Sequence, residues 1–88
     1  SPENHDRMIQ SVNMSAEKQL RVFFDPGQLI HSFNKDELRD IFSKIDGLFV
    51  NEYEWELLKN ISGMNKEEIT KLVRVIFITK GADGLELI

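Results

Sequence analysis

An α/β fold with a mostly parallel sheet is predicted by three features of the sequence. Short apolar runs such as Gly47-Leu48-Phe49-Val50 and Val75-Ile76-Phe77-Ile78 are continuous rather than alternating. Stretches of helical period separate them, and turn-forming residues lie at their carboxyl ends. Unbroken apolar strands alternating with helices are the pattern of a parallel sheet covered on both faces, joined by right-handed crossovers.

Ser1-Pro2-Glu3 opens the first predicted helix. Serine caps, proline suits the first helical position, and an acid complements the positive end of the helix dipole. Met8, Ile9, Val12 and Ala16 mark its apolar face. Arg21-Val22-Phe23-Phe24 is a β-prone run that stops at Asp25-Pro26-Gly27, because proline cannot donate to a ladder and glycine permits a turn.

From Asn34 the period becomes helical, with Leu38, Ile41, Phe42 and Ile45 on one stripe and with Asn34 and Glu37 spaced as a cap and its third-position acid. The strand Gly47 to Val50 passes directly into a helix that carries Glu54, Leu57, Leu58 and Ile61 and ends at Gly63. Asn65 and Glu68 repeat the capping spacing before Ile69, Leu72 and Val73. The chain then runs through Val75 to Thr79, turns across Lys80-Gly81-Ala82-Asp83-Gly84, and returns along Leu85 to Ile88 as a hairpin.

Length and composition narrow the classes. Eighty-eight residues make one domain or part of one, and a chain of that size buries only about 60 to 65 percent of its unfolded surface. There is no cysteine and there are two isolated histidines, His5 and His31. Disulfide scaffolds, thiolate chemistry and a zinc site are thereby excluded, no catalytic dyad is available to either histidine, and a reducing, cytoplasmic setting is expected. With 11 basic and 15 acidic residues the net charge is −4, and no basic block follows a phosphate backbone, so nucleic acid is not an expected partner. The longest apolar runs are four residues, far below the roughly 20 needed to span a bilayer, so no membrane association is expected.

In open parallel sheets ligands gather outside the carboxyl ends of the strands, where loops and helix N-termini present free N–H groups. Three strand ends are therefore candidates: Asp25-Pro26-Gly27-Gln28, Asn51-Glu52-Tyr53-Glu54, and Thr79 to Gly84. Asn51 and Glu54 have two readings. They form a capping box, or they serve hard-oxygen chemistry in which Glu54 holds a hydrated magnesium ion through water and Asn51 meets a phosphate oxygen. Thr79-x-Gly81-x-x-Gly84 leaves backbone bare for a nucleotide, or makes a plain turn; it is neither a dinucleotide fingerprint nor a P-loop. Asp25 before Pro26 also fits a turn-forming aspartate.

The order of these pieces resembles the ribokinase-like, or PfkB, family of carbohydrate and nucleoside kinases. FFDPGQ over residues 23–28, IDGLFVNEYEWELL over 45–58 and IFITKGADG over 76–84 carry the resemblance, which extends over essentially the whole chain. It implies a three-layer α/β/α core with a small β lid, and transfer of the ATP γ-phosphoryl group to a hydroxyl of a sugar, sugar phosphate or nucleoside. By position, Asn51 and Glu54 would organise magnesium and phosphate, Thr79, Gly81 and Gly84 would border the nucleotide, and Asp25 would lie between phosphate and acceptor sites.

The family's Gly-Ala-Gly-Asp segment, which supplies the catalytic base and an anion hole, does not occur before Ile88. Residues 1–88 are accordingly expected to be a partial kinase domain, inactive alone because phosphoryl transfer depends on positioning and charge stabilisation. Unpaired sheet edges and uncovered faces predict self-association, with Tyr53 and Trp55 packing against elements outside the chain. The alternative is a non-catalytic α/β interaction module. A phosphoacceptor receiver domain fits poorly, since Asp25 has no acidic neighbour in its loop and Asp46 precedes a strand.

Overall fold

The computed structural model describes residues 21–88 together with Ile9 and Asn13. The helix expected from Ser1 lies outside the described residues apart from those two, both of which are helical. Ile9 packs against the core, and Asn13 Oδ1 accepts a hydrogen bond from Lys44 Nζ at 2.6 Å. His5 is likewise outside the described residues.

Four strands form one sheet in chain order: β1 (Phe23–Phe24), β2 (Gly47–Asn51), β3 (Val75–Thr79) and β4 (Leu85–Leu87). The first three are parallel and β4 returns antiparallel to β3, the hairpin expected from the sequence. A 3-10 helix over Gly27–Ser32 and α1 (Lys35–Lys44) connect β1 to β2, while α2 (Glu52–Ser62) and α3 (Lys66–Leu72) connect β2 to β3.

Helices α1, α2 and α3 begin in the same way. Asn34, Asn51 and Asn65 each adopt extended backbone and accept the N–H of the residue three further on, and Glu37, Glu54 and Glu68 each accept the asparagine N–H in return. Two otherwise orphaned donors are satisfied per helix, which holds each start at its strand end or loop. Helix α2 stops at Gly63, whose φ of 67° takes the left-handed conformation that glycine reaches without a Cβ penalty.

Side chains alternate across a strand, so the register sorts the sheet into two faces. Phe24, Leu48, Val50, Ile76 and Ile78 are buried against Leu38, Ile41, Phe42, Leu58 and Ile69 of the helices. On the opposite face, paired through Phe23↔Gly47, Phe49↔Phe77 and Phe77↔Leu87, the described residues leave Phe23 57% and Phe49 42% exposed. Among the described residues, helices cover the first of these faces, and on the second Phe49 and Phe77 stack on each other, ring centroids 4.8 Å apart.

Two expectations need correcting. Trp55 does not await a partner outside the chain; it is buried within the core, with Lys59 Nζ 5.1 Å above its ring. The first strand is shorter than the apolar run, because Val22 bonds to Asp46: its N–H donates to Asp46 Oδ2 at 3.0 Å and its carbonyl accepts the Asp46 N–H at 2.8 Å.

Candidate functional site

The parallel register brings the second and third strand ends side by side. Asn51 is the last residue of β2 and Thr79 the last of β3, and the two are register partners. Asp25 follows β1 on the other side of β2. Asp25, Gly27, Phe49, Val50, Asn51, Glu54 and Thr79 together line a hollow of about 320 Å³ at this rim. Four of the residues singled out in the sequence thus meet in one place.

The capping box decides which atoms remain available there. Asn51 Oδ1 accepts the Glu54 N–H at 2.7 Å, and Glu54 Oε1 accepts the Asn51 N–H at 2.9 Å. Neither Asn51 Nδ2 nor Glu54 Oε2 bonds to a described residue, so one amide donor and one carboxylate oxygen can serve a ligand while the box stays closed. The same box starts α1 and α3, so the motif by itself is structural. What distinguishes Asn51 and Glu54 is that their box opens onto the rim hollow.

Gly81 and Gly84 do not line that hollow; they shape the neighbouring turn. A short 3-10 helix over Gly81–Asp83 is closed by Lys80 N–H donating to the Gly84 carbonyl at 2.7 Å and Asp83 N–H to the Lys80 carbonyl at 3.0 Å. Gly81 has φ +57° and Gly84 φ +92°, and a Cβ at either would meet only open space. The backbone there is free for close approach by a planar ligand, at positions where side-chain-bearing residues are strained.

Across the base of the turn Lys80 Nζ lies 2.8 Å from Glu86 Oε1. The hydrogen bond to Glu86, then its charge, raise the Lys80 pKa; the same bond and the Lys80 charge lower that of Glu86. Lys80 is the one lysine or arginine within residues 25–34, 51–54 and 80–84, against four acids, Asp25, Glu52, Glu54 and Asp83. Among the described residues no group of three or more His, Cys, Asp or Glu side chains is arranged to hold a metal ion.

A second hollow of about 260 Å³ lies beside the first and shares Gly27, Asn51 and Glu54 with it. Its remaining walls are Gln28, Ile30, His31 and Tyr53. The sequence reading left His31 out of the rim and gave Tyr53, within the second candidate strand end, only a packing role; both line this hollow. Among the described residues no helix is long and apolar enough to cross a membrane.

Comparison with known proteins places this geometry in context. No protein-family model matches the sequence. The chain is 32% identical over 63 residues to a nucleoside kinase of Methanocaldococcus jannaschii, covering 72% of this chain and 21% of that relative. It superposes on the Burkholderia thailandensis nucleoside kinase in complex with ADP-inosine with a TM-score of 0.89 and 29% identity, over 91% of this chain and 25% of that one. The Methanocaldococcus jannaschii nucleoside kinase structure, an archaeal member of the ribokinase family, matches with a TM-score of 0.75 and 29% identity over 78% of this chain and 23% of that one. The chain thus spans about a fifth to a quarter of the length of these relatives. Over most of its own length, it is homologous to a segment of the ribokinase-family nucleoside kinases.

Proposed function

We propose that this chain forms the phosphate-facing part of an ATP-dependent nucleoside kinase, the part that positions the transferring phosphoryl group. One observation carries the reading: Asp25, Asn51, Glu54 and Thr79, at or just beyond the carboxyl ends of three successive parallel strands, line a single hollow in a segment homologous to nucleoside kinases. A relative that holds ADP-inosine supports a nucleoside as the acceptor class in preference to a sugar phosphate.

In this reading the Asn51 amide donates to a phosphate oxygen, and the free Glu54 oxygen accepts from water on a magnesium ion. Thr79 and the bare backbone at Gly81 and Gly84 border the nucleotide, and Asp25 lies between phosphate and acceptor. The donor set fits a hydrated magnesium ion held mainly by phosphates, since Glu54 offers one free carboxylate oxygen at the rim and magnesium keeps most of its waters. When bound, that ion would neutralise phosphate charge beside Asp25 and Glu54, the two acids that line the hollow and would otherwise repel a polyphosphate. No residue of the chain is assigned as the catalytic base, and the chain alone is expected to bind without turnover.

Titrating ATP into the isotope-labelled chain, with and without magnesium, tests the reading. Amide shifts centred on Asn51, Glu54 and residues 79–84, strengthened by magnesium, are expected. Glu54→Gln keeps the capping acceptor, since glutamine also serves at that position, and should abolish the magnesium effect alone. An unperturbed spectrum at millimolar nucleotide overturns the proposal and favours a non-catalytic interaction module.

A further inference from the structure

Lys80 sits where the two halves of the proposed site meet. Its chain neighbours are Thr79, which lines the rim hollow, and Gly81, where the glycine turn begins. Its backbone is already engaged, the N–H donating to the Gly84 carbonyl at 2.7 Å and the carbonyl accepting the Asp83 N–H at 3.0 Å. What remains to meet a ligand is the side chain. Its Nζ bonds to Glu86 Oε1 at 2.8 Å, and the two side chains are 34% and 40% exposed. An ammonium carries three donors, and among the described residues Glu86 engages one of them. Glu86 shares the helix-covered face with its register partner Ile78, and Glu52 opens α2. The hydrogen bond and charge of Glu86, then the charge of Glu52, keep Lys80 protonated.

We infer that Lys80 contacts phosphate: with its bond to Glu86 intact, the remaining ammonium donors bind the non-transferring phosphates of a nucleoside di- or triphosphate. On the reading proposed above, on which this rests, the transferring phosphoryl group sits at Asn51 and the nucleotide lies along Gly81 and Gly84. Asn51 is the register partner of Thr79, so a polyphosphate chain joining those two places runs past the residue between Thr79 and Gly81. That residue is the single lysine or arginine within residues 25–34, 51–54 and 79–84. Asp25 and Glu54 line the hollow and oppose a polyanion, so a cation beside the path offsets them. Lysine suits the position, being a point charge that can turn its donors toward more than one oxygen. Glu86 acts as a tether, and an ammonium already held at the base of the turn loses less freedom when phosphate arrives.

Titrating ADP and adenosine into the isotope-labelled chain, followed by amide shifts and by the Lys80 Cε–Hε signals, separates a phosphate contact from a hairpin staple. In the wild type the Lys80 Cε–Hε signals should move with ADP and stay in place with adenosine. Lys80→Met should raise the ADP dissociation constant about tenfold, as the loss of a charge-assisted hydrogen bond does, and leave any adenosine response as in the wild type. Lys80→Arg keeps the charge and should recover most of that loss. Glu86→Gln breaks the same ion pair but spares the ammonium, so ADP binding should stay within about threefold of the wild type, an exposed pair contributing little. Equal weakening by Lys80→Met and Glu86→Gln marks a staple and overturns the inference. So do wild-type Lys80 Cε–Hε signals that ADP leaves unmoved, a measurement that needs no variant to fold. ADP binding undiminished in Lys80→Met, with shifts still centred on Asn51 and residues 79–84, overturns this inference and leaves the kinase reading standing. A wild type that responds to neither ligand overturns both.

Discussion

Asp46 clasps Val22 in both directions: its carboxylate accepts the Val22 N–H at 3.0 Å while its own N–H donates to the Val22 carbonyl at 2.8 Å. The Asp46 carbonyl also accepts the Val75 N–H at 3.1 Å, so one residue joins the amino ends of β1, β2 and β3. Asp46 precedes β2, as the sequence indicated, and so serves the end of the sheet opposite the candidate strand ends. Asp46→Ala leaves a partly buried donor unpaired and should cost about 1–3 kcal/mol. Asp46→Asn keeps an acceptor and should cost less. Urea unfolding measures both, and neither variant is expected to change the response to nucleotide.

The turn after β3 depends on two glycines unequally. Gly81, at φ +57°, is in the left-handed region that other residues enter at about 1–2 kcal/mol. Gly84, with φ 92° and ψ −134°, lies in a region nearly reserved for glycine, where a side-chain-bearing residue costs about 1–3 kcal/mol. Both sites are open, so strain and not collision sets the cost. Gly84→Ala should therefore lower the melting temperature more than Gly81→Ala, and hydrogen exchange should show the loss concentrated in β4.

The Lys80–Glu86 pair bridges the same hairpin and confers a pH dependence on it. Glu86 has a lowered pKa through the hydrogen bond and charge of Lys80, so its share of the stabilisation is present at neutral pH and is lost as pH falls through that lowered value. Lys80 has a raised pKa through Glu86, so its share is present at neutral pH and is lost as pH rises through the raised value. The pair is solvent-accessible and its effect is local. Amide shifts of residues 80–86 should titrate at both extremes in the wild type, and Lys80→Met should remove the alkaline step and return the acidic one toward an ordinary glutamate.

Much of this architecture was legible because local rules and the global fold agree. The asparagine–glutamate spacings at 34, 51 and 65 announced helix starts, and capping boxes formed at each. The convergence at the rim followed from reading the strands as parallel, because parallel strands put their carboxyl ends on one side. The 3-10 helix over Gly27–Ser32 was not legible: its turns are shorter than the 3.6-residue period, and only Ile30 is buried on it. Nor was the pairing of Phe49 with Phe77, which read as core residues in a one-dimensional pattern and stack on each other across β2 and β3. Trp55 was misjudged for the converse reason, as its place in the core depends on how α2 seats against the sheet, which spacing alone does not specify.

The three identical capping boxes supply an internal control for the rim. Asn51→Ala and Asn65→Ala each remove the acceptor for a first-turn N–H and release the paired glutamate, so each should destabilise the chain by about 1 kcal/mol. Asn65 follows the α2–α3 connection and does not line the rim hollow. If Asn51 were only a cap, the two variants would behave alike in every measurement. Because Asn51 also lines the hollow with Thr79 and Asp25, and is proposed to meet a phosphate there, Asn51→Ala should weaken the ATP-induced amide shifts severalfold, while Asn65→Ala should leave them at the wild-type level. Equal losses of stability with unequal losses of nucleotide response are thus the expected result, and equal losses of both would reduce Asn51 to a helix start.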